Sequence, residues 1–563
     1  MNSIACESGG IGRRAGLRIQ SRKGSGFESP LSHLAGNPTV FASVAAAVMP
    51  TAIGLWLFCG AIVLLLASVG ASGSAEAAAA ADELARQVSE QKAACAAEVE
   101  NLAAWCDSKG LTSEARKTRS LLPPQDPYKL FVPVLLTEPE AGPPDDAPPD
   151  VHQWHKRLVK LRQEQSLAIW ELARKAVRAR RTWLGYELLL ESLRINPDLE
   201  PARRVLGYQK IRNGWYTPYQ ARKLRAGHVW DDRFGWIPKG AVARYEQGWR
   251  LVGGRWLSPE EAQKPRPIES GWEIETEHYL IRTNCGIDQG VALGVKLEQL
   301  CSVWQLLFIG YYASEADVVA LFEGRGRSAE RPRMRVVYFA DRQQYNQALR
   351  TAIPKIDMTI GLYLDATRSV YFFAAPDGDD RTLYHEATHQ LFHESRPVAR
   401  DVGRRANFWI IEGIALYMES LRREGNYYVL GGVDDLRFHA AQYRLLNDRF
   451  YVPLEEITAW GMEKIQQHEK IGMLYSQFAG LTYFLIHGEE GRYRDALAAY
   501  LTAVYSGRDD PNTLAQLTGT SYAELDKQYR QFIATAASKA AIVDDEMFHD
   551  KALKGTSPNS SKQ

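Results

Sequence analysis

The chain has 563 residues, 45% of them hydrophobic and 24% charged, and its formal net charge is +1. Such a length allows roughly two to four domains, and the composition is typical of globular proteins. Because basic and acidic residues nearly balance, the overall charge does not favour nucleic acid as a partner. We expect no nucleic-acid partner, and function has to be inferred from local features.

The N-terminal segment predicts where the chain resides. Residues 1–37 form a basic, flexible stretch rich in Gly and Ser, and an uncharged apolar run extends from Val40 to about Ala71. Such a run is long enough to cross a bilayer, and the basic flank before it places the following chain on the outer side. Residues 38–75 are therefore predicted to be a transmembrane anchor or a cleaved signal peptide. The protein is expected to be membrane-anchored with an extracytoplasmic domain, or secreted or periplasmic after cleavage.

Three segments follow the apolar run. Residues 76–121, rich in Ala with Glu, Lys and Arg, are predicted to form a helical stalk. Residues 122–150 contain nine prolines, which predicts a stiff linker rather than a packed element. Residues 151–212 return to helical periodicity on both sides of the turn Asn196-Pro197-Asp198. This pattern resembles one tetratricopeptide-like helical hairpin.

A short repeat occupies residues 213–268. Gly214-Trp215, Gly235-Trp236 and Gly254-Arg255-Trp256 recur at a spacing of about twenty residues. The segment Trp249–Trp256 is predicted to form a β-hairpin with a Gly-Gly turn. The repeated tryptophans either pack under their own small sheets or form a stacking surface for a cell-envelope polymer or partner. Both interpretations stay open at this level.

Residues 269–540 are predicted to form an α+β domain that is mainly helical, with a small mixed sheet near its N-terminus. Strand patterns cover Trp272–Ile281, Met334–Phe339 and Ser369–Ala374, and an amphipathic helix is expected over Val291–Phe308. The segment Leu514–Phe532 is predicted to form a capped helix that closes the domain. Residues 541–563 are polar and are expected to be disordered.

The chemistry-bearing motif lies on the helix predicted after the third strand. His385 and His389 are four residues apart, so on a helix both imidazoles project from one face and can bind one metal ion. Glu386 is turned by about 100° from His385, where its carboxylate can act as a base without binding the metal. Two neutral nitrogen ligands beside a carboxylate base are what metal-assisted hydrolysis requires.

A third protein ligand is expected on the second predicted helix, Phe408–Glu419, where Glu412 precedes Gly413 and Ala415. These small residues are predicted to let the helix approach the metal closely. The motifs HExxH and WxxEGxAxY together resemble those of the gluzincin zinc metallopeptidases, and most of all those of exported bacterial proteins with a peptidase-MA-like domain. The resemblance covers about residues 270–535. It implies a zincin-like fold, a zinc ion bound by His385, His389 and Glu412, Glu386 as general base, and a protein or peptide substrate.

The sequence departs from the family pattern at the residue that usually orients a ligand histidine. An acidic side chain is common one turn after the ligand Glu, but Leu416 stands there, and Glu419 is the alternative on the same helix face. His393 is either a further partner of the site or a buried histidine satisfied elsewhere. For the donor that would stabilise the oxyanion, we favour Tyr475 over Tyr483 and His487.

Two functions are compatible with these sequence features. The first is zinc-dependent hydrolysis of peptide bonds, in which Glu386 activates water and Tyr475 stabilises the developing oxyanion. The second is a non-catalytic exported scaffold that binds a cell-envelope polymer or protein through the Trp repeats. The intact Glu386 favours the enzyme, since a structural metal site gains nothing from a base beside it. Leu416 and the large accessory region favour the scaffold.

Overall fold

The structure, a computed structural model, describes residues 82–138, 140–326, 331–354, 356–375 and 380–554. The basic N-terminus and the apolar segment predicted at 38–75 lie outside these residues. Within the described part of the chain, every helix is too short or too polar to span a bilayer. The predicted α+β class is confirmed, with helices predominating over small sheets.

Between residues 82 and 205, the regular elements of the described chain are helices and one strand, and most of residues 120–148 is irregular. Its elements are α1 (82–108), α2 (Thr112–Arg119), β1 (Lys129–Pro133), α3 (Pro149–Arg178), α4 (Thr182–Ile195) and α5 (Glu200–Val205). The predicted stalk is thus a pair of helices, and α3 with α4 forms the predicted hairpin. α1 packs on α3 through Gln165, whose side chain donates to Glu98 and accepts from Gln91. From Gln87 onwards, the stalk helix therefore belongs to the same packed unit as the hairpin.

The Trp repeat consists of three successive units, each a two-stranded hairpin followed by a short helix. The units are β2 (Gln209–Ile211), β3 (Gly214–Tyr216) and α6 (Pro218–Arg225); β4 (His228–Asp231), β5 (Gly235–Pro238) and α7 (Val242–Glu246); β6 (Arg250–Val252), β7 (Arg255–Leu257) and α8 (Pro259–Gln263). The predicted Gly-Gly turn is present between β6 and β7, with both glycines at positive φ. Trp215 is buried and its indole N–H donates to Asp198. For this tryptophan the packing interpretation holds.

A five-stranded mixed sheet follows, with four helices between its strands. The elements are β8 (Trp272–Glu275), β9 (Tyr279–Thr283), α9 (Ile287–Leu307), α10 (Ile309–Tyr312), α11 (Glu315–Phe322), β10 (Met334–Phe339), α12 (Arg342–Leu349), β11 (Gly361–Leu364) and β12 (Ser369–Phe373). The strand order is β11-β12-β10-β9-β8. The inner strands β12, β10 and β9 are parallel, and β8 and β11 are antiparallel edges. The single strand predicted over Trp272–Ile281 is wrong, because the chain reverses between β8 and β9.

The remainder is helical except for one hairpin. Its elements are α13 (Asp380–Glu394), α14 (Phe408–Met418), β13 (Arg422–Glu424), β14 (Tyr427–Gly431), α15 (Leu436–Leu446), α16 (Leu454–Ile457), α17 (Met462–Gln466), α18 (Ile471–His487), α19 (Arg494–Ser506), α20 (Thr513–Thr518) and α21 (Tyr522–Lys554). The helix predicted over Leu514–Phe532 is divided, because Gly519 adopts φ +62° and ends α20. The predicted disordered tail is helical up to Lys554, and residues 555–563 lie outside the described range.

The predicted linker at 122–150 is the main correction to the domain organisation. Strand β1 pairs antiparallel with β14, in register Leu130 to Leu430, and so joins the hairpin that follows α14. Tyr128 and Val132 are buried. The proline content wrongly predicted a linker because prolines are tolerated at the ends of regular elements. Pro133 ends its strand and Pro149 begins α3, positions where the missing N–H costs little. The segment is packed over part of its length.

The packing of α14 on α18 depends on a glycine. A Cβ at Gly413 would lie 2.5 Å from Thr482 Oγ1 and 3.0 Å from the Phe478 carbonyl oxygen. The absence of a Cβ at Gly413 therefore allows α14 and α18 to pack closely. The expectation that Gly413 allows a close approach to the metal is wrong, because this face of α14 meets α18.

Replacing Gly413 by Ala should lower the free energy of unfolding by about 1–2 kcal/mol. Overpacking costs about 1–3 kcal/mol, and the gain in helix propensity is at most about 1 kcal/mol. Chemical denaturation measures the difference. Gly472→Ala on α18 is the matched control, since a Cβ there meets no atom within 4 Å, and it should not destabilise. Equal stability of wild type and Gly413→Ala would contradict the contact.

Candidate metal centre

The two histidines of the motif lie on consecutive turns of α13 and face the same point. His385 Nε2 and His389 Nε2 are 3.2 Å apart, and the two rings meet edge to face at 78°. Both side chains are almost buried, with 11% and 12% of their surface exposed. The helix thus places two imidazole nitrogens at a spacing suited to a shared ligand.

Glu412 on α14 completes the group. Its Oε2 lies 3.5 Å from His385 Nε2 and 3.8 Å from His389 Nε2. Corners of a tetrahedron about 2.0–2.1 Å from a central zinc ion are about 3.3–3.4 Å apart. Three atoms at these separations fit three corners and leave the fourth position for another ligand. Among the described residues, this is the group of His, Cys, Asp and Glu side chains that could hold a metal ion.

A further carboxylate orients the first ligand. Glu419, the residue that follows α14, lies with Oε1 2.8 Å from His385 Nδ1. A carboxylate at that distance accepts a hydrogen bond, so Nδ1 carries a proton, and Nε2 is the nitrogen that faces His389 and Glu412 and would bind a metal ion after losing its own proton. Glu419 is itself held by Arg437 on α15, with Nε–Oε2 at 2.7 Å and Nη2–Oε1 at 3.0 Å. The contact expected of Glu419, in place of an acidic residue at position 416, is present, and its role in orienting a metal ligand stays a prediction.

The base of the motif lies against the sheet. Glu386 is buried, and its Oε2 accepts a hydrogen bond of 2.9 Å from the backbone N–H of Tyr363 on β11. Burial raises the pKa of Glu386, and the nearby His385 and the Tyr363 N–H oppose that rise. One carboxylate oxygen is therefore anchored to the edge strand.

The electrostatic balance of the site favours a cation. Burial alone would lower the pKa of His385, but Glu412 and Glu419 raise it to about 10. With all three buried carboxylates (Glu386, Glu412 and Glu419) ionised, Arg437 and a protonated His385 leave one negative charge, and two once His385 gives up its proton to bind a metal ion. Buried charge of this kind requires compensation. A divalent cation at the centre of the three ligand atoms supplies it.

Tyr475 on α18 reaches the site, whereas the other two candidates pack elsewhere. Burial, and then the Glu412 carboxylate that its hydroxyl meets, raise the pKa of Tyr475 far above its ordinary value. The hydroxyl therefore keeps its proton. Tyr483 and His487 pack around Tyr417, to which His487 is hydrogen-bonded.

His393 lies two turns beyond His385 and has a separate environment. Its ring stands 5.5 Å from that of Tyr363 and 5.2 Å from that of Tyr505. His393 is therefore buried among aromatic side chains.

Two elements of the site were not predicted from the sequence. The edge strand β11 is short and follows no clear alternation, so the Tyr363 N–H could not be anticipated. Arg437 stands among several arginines without a motif around it. Both act through contacts between segments far apart in the chain, which local patterns do not report.

Comparison of the chain with protein-family models, with curated proteins and with solved structures gives no match.

Protein purified without its N-terminal segment, residues 76–563, should retain about one zinc ion per chain after dialysis against metal-free buffer. Glu412→Ala should reduce that content strongly, because only two protein ligands remain. Elemental analysis measures both. Glu424→Ala, on the exposed strand β13, is the control and should keep its zinc. A well-folded wild type without bound zinc would contradict the assignment of this centre.

Proposed function

We propose that the protein is a zinc-dependent peptidase with His385, His389 and Glu412 as metal ligands. The observation that carries the proposal is the combination of three convergent ligand atoms with a buried, anchored carboxylate one residue from the first ligand. Bound there, zinc would act as a Lewis acid and make a coordinated water more acidic. Proton transfer and stabilisation of the developing negative charge would be carried out by side chains of the protein.

Glu386 acts as the general base and then as the general acid. Its Oε2 is tied to the Tyr363 N–H, so the other oxygen accepts the proton of the attacking water. Burial raises the pKa of Glu386, which favours its taking up a proton, while the nearby His385 and the Tyr363 N–H oppose that rise. The same oxygen then delivers the proton to the leaving amine.

The edge strand supports a polypeptide as the substrate. Among the strands of the described residues, β11 pairs with β12 alone, and its Tyr363 N–H donates to Glu386. An extended peptide lying along this edge passes beside the base and the metal ligands. Backbone hydrogen bonds to a strand edge recognise any peptide, whatever its side chains.

Tyr475 provides a neutral hydrogen-bond donor on the opposite wall. In the resting site its hydroxyl meets Glu412, and its raised pKa keeps it protonated. On substrate binding it turns to the carbonyl oxygen that becomes negatively charged, which an O–H donor stabilises.

The second candidate is a non-catalytic exported scaffold, and the Trp units give it one specific observation. Trp230 and Trp249 are more than a third exposed, and Trp230 lies edge to face with Trp236. An exposed aromatic surface of this kind can stack on a cell-envelope polymer or a protein partner. The enzyme remains the better supported of the two, since a scaffold has no use for the anchored Glu386. In either case the N-terminal apolar segment would act as an anchor or as a cleaved signal.

Replacing Glu386 by Gln should leave zinc content and thermal stability unchanged and lower kcat for peptide hydrolysis at least about 100-fold. Gln keeps the size of the side chain and its bond to the Tyr363 N–H but cannot accept the proton. Turnover of a mixed peptide library, followed by mass spectrometry, measures the loss, with Glu424→Gln as control. Activity equal to wild type would refute the role of Glu386. Stoichiometric zinc without cleavage of any peptide by the wild type would favour the scaffold.

Replacing Tyr475 by Phe should lower kcat about 100-fold with little change in KM, because the donor acts on the transition state. Zinc content should remain near one per chain. If the variant instead loses zinc and recovers full turnover when zinc is added in excess, the hydroxyl serves only to hold Glu412. Steady-state kinetics with and without added zinc distinguish the two results.

A further inference from the structure

Arg437 on α15 holds the carboxylate that orients the first metal ligand. Only 3% of the Glu419 side chain is exposed, so its charge needs a close partner. Arg437 supplies two parallel hydrogen bonds, one to each carboxylate oxygen. A two-point contact of this kind fixes both the position and the plane of the carboxylate.

Arg437 is itself held in place by the start of α15. The N-cap residue Asp435 accepts hydrogen bonds from the N–H groups of Arg437 and Phe438, and Phe438 is fully buried. Arg381, on the metal-binding helix α13, lies 4.0 Å from the Asp435 carboxylate. The guanidinium therefore projects from a fixed helix end that is linked to α13.

The position of Glu419 decides which atoms bind the metal. With Arg437 in place, Glu419 Oε1 faces His385 Nδ1 at 2.8 Å and holds the ring with Nε2 towards the metal position. Without that contact, a buried carboxylate beside Glu412 and Glu386 would be free to rotate, to release His385 or to compete with Glu412 for the cation. The two hydrogen bonds from the Arg437 guanidinium thus keep Glu419 as a carboxylate that orients a ligand, and they prevent it from becoming a metal ligand itself.

We infer that Arg437 is a positioning residue that keeps Glu419 on His385 and so sets the metal affinity and coordination geometry of the site. The inference rests on the proposed metal centre but not on hydrolysis, since it concerns binding of the ion alone. A competing effect works in the opposite direction. The positive charge of Arg437 repels a divalent cation, so its removal would tighten binding if charge mattered more than position.

Two substitutions separate position from charge. Arg437→Met removes both the positive charge and the hydrogen bonds. Arg437→Lys keeps the positive charge but cannot form the two parallel hydrogen bonds of the guanidinium. If Arg437 acts by position, both variants should bind zinc about 10–100-fold more weakly than wild type, as is usual for residues that support a metal ligand. If it acts by charge, Arg437→Met should bind more tightly and Arg437→Lys about equally, and that result would overturn the inference.

Zinc affinity of the purified protein is measured by competition with a chromophoric chelator. The absorption spectrum of the cobalt(II)-substituted protein reports the coordination geometry and should change in both variants. Arg444→Met is the matched control, because Arg444 lies on the same helix and pairs with Asp448. It should leave affinity and spectrum unchanged. Thermal unfolding of the metal-free proteins shows that each variant is folded.

A double-mutant cycle with Glu419→Gln tests whether Arg437 acts through Glu419. In the Glu419→Gln background, Arg437→Met should change the affinity less than about twofold, because there is no carboxylate left to position. Additive losses would show that Arg437 acts by another route and would overturn the inference. If the wild type binds zinc and the Arg437 variants bind it equally well, the inference about Arg437 is wrong, but the proposed peptidase function is unaffected. A wild type that binds no zinc removes both.

Discussion

The structure around the motif depends on one electrostatic constraint, the burial of three carboxylates between a few helices. Glu386, Glu412 and Glu419 are each at most 5% exposed. Burying a carboxylate without partners costs several kcal/mol, so each must be paired with a donor or a cation. Glu386 receives a backbone N–H, Glu419 receives Arg437 and His385, and Glu412 faces the two histidines. The arrangement of β11, α13, α14 and α15 follows from these pairings.

The accessory segments are attached next to the helices that hold these carboxylates. Strand β1 extends the sheet of β13 and β14, which leads from Glu419 to the start of α15. Tyr128, just before β1, packs on Phe438 and Phe532. The Trp units are joined to the sheet by Thr217, whose hydroxyl donates to Glu277. The segment with many prolines therefore supports the helix that carries Arg437, and removing residues 122–138 should affect the metal centre more than removal of a flexible linker would.

The sequence was informative where local chemistry determines structure. The helices that carry His385, His389 and Glu412 were predicted, and the strands Met334–Phe339 and Ser369–Phe373 were predicted to within a residue. The sequence was uninformative where a contact joins segments that are far apart in the chain. The pairing of β1 with β14 spans about three hundred residues, and proline content argued against it. The contacts of Arg437 and of the Tyr363 N–H could not be predicted, since the sequence around each residue does not indicate which carboxylate it binds.

The choice between an enzyme and a scaffold can be argued from the energetics of Glu386. A backbone N–H donates to its carboxylate, and burial raises its pKa. A purely structural position would be more stable with an apolar side chain, which needs no partner. A buried carboxylate at such a place, next to three side chains that could hold a metal ion and to a sheet edge, fits the proposed catalytic role better than a purely structural one. Glu419 shows the contrast, because its charge is paired with Arg437 and its task is to hold a ring in place. The two carboxylates therefore have different partners, and the different roles proposed for them follow from those partners.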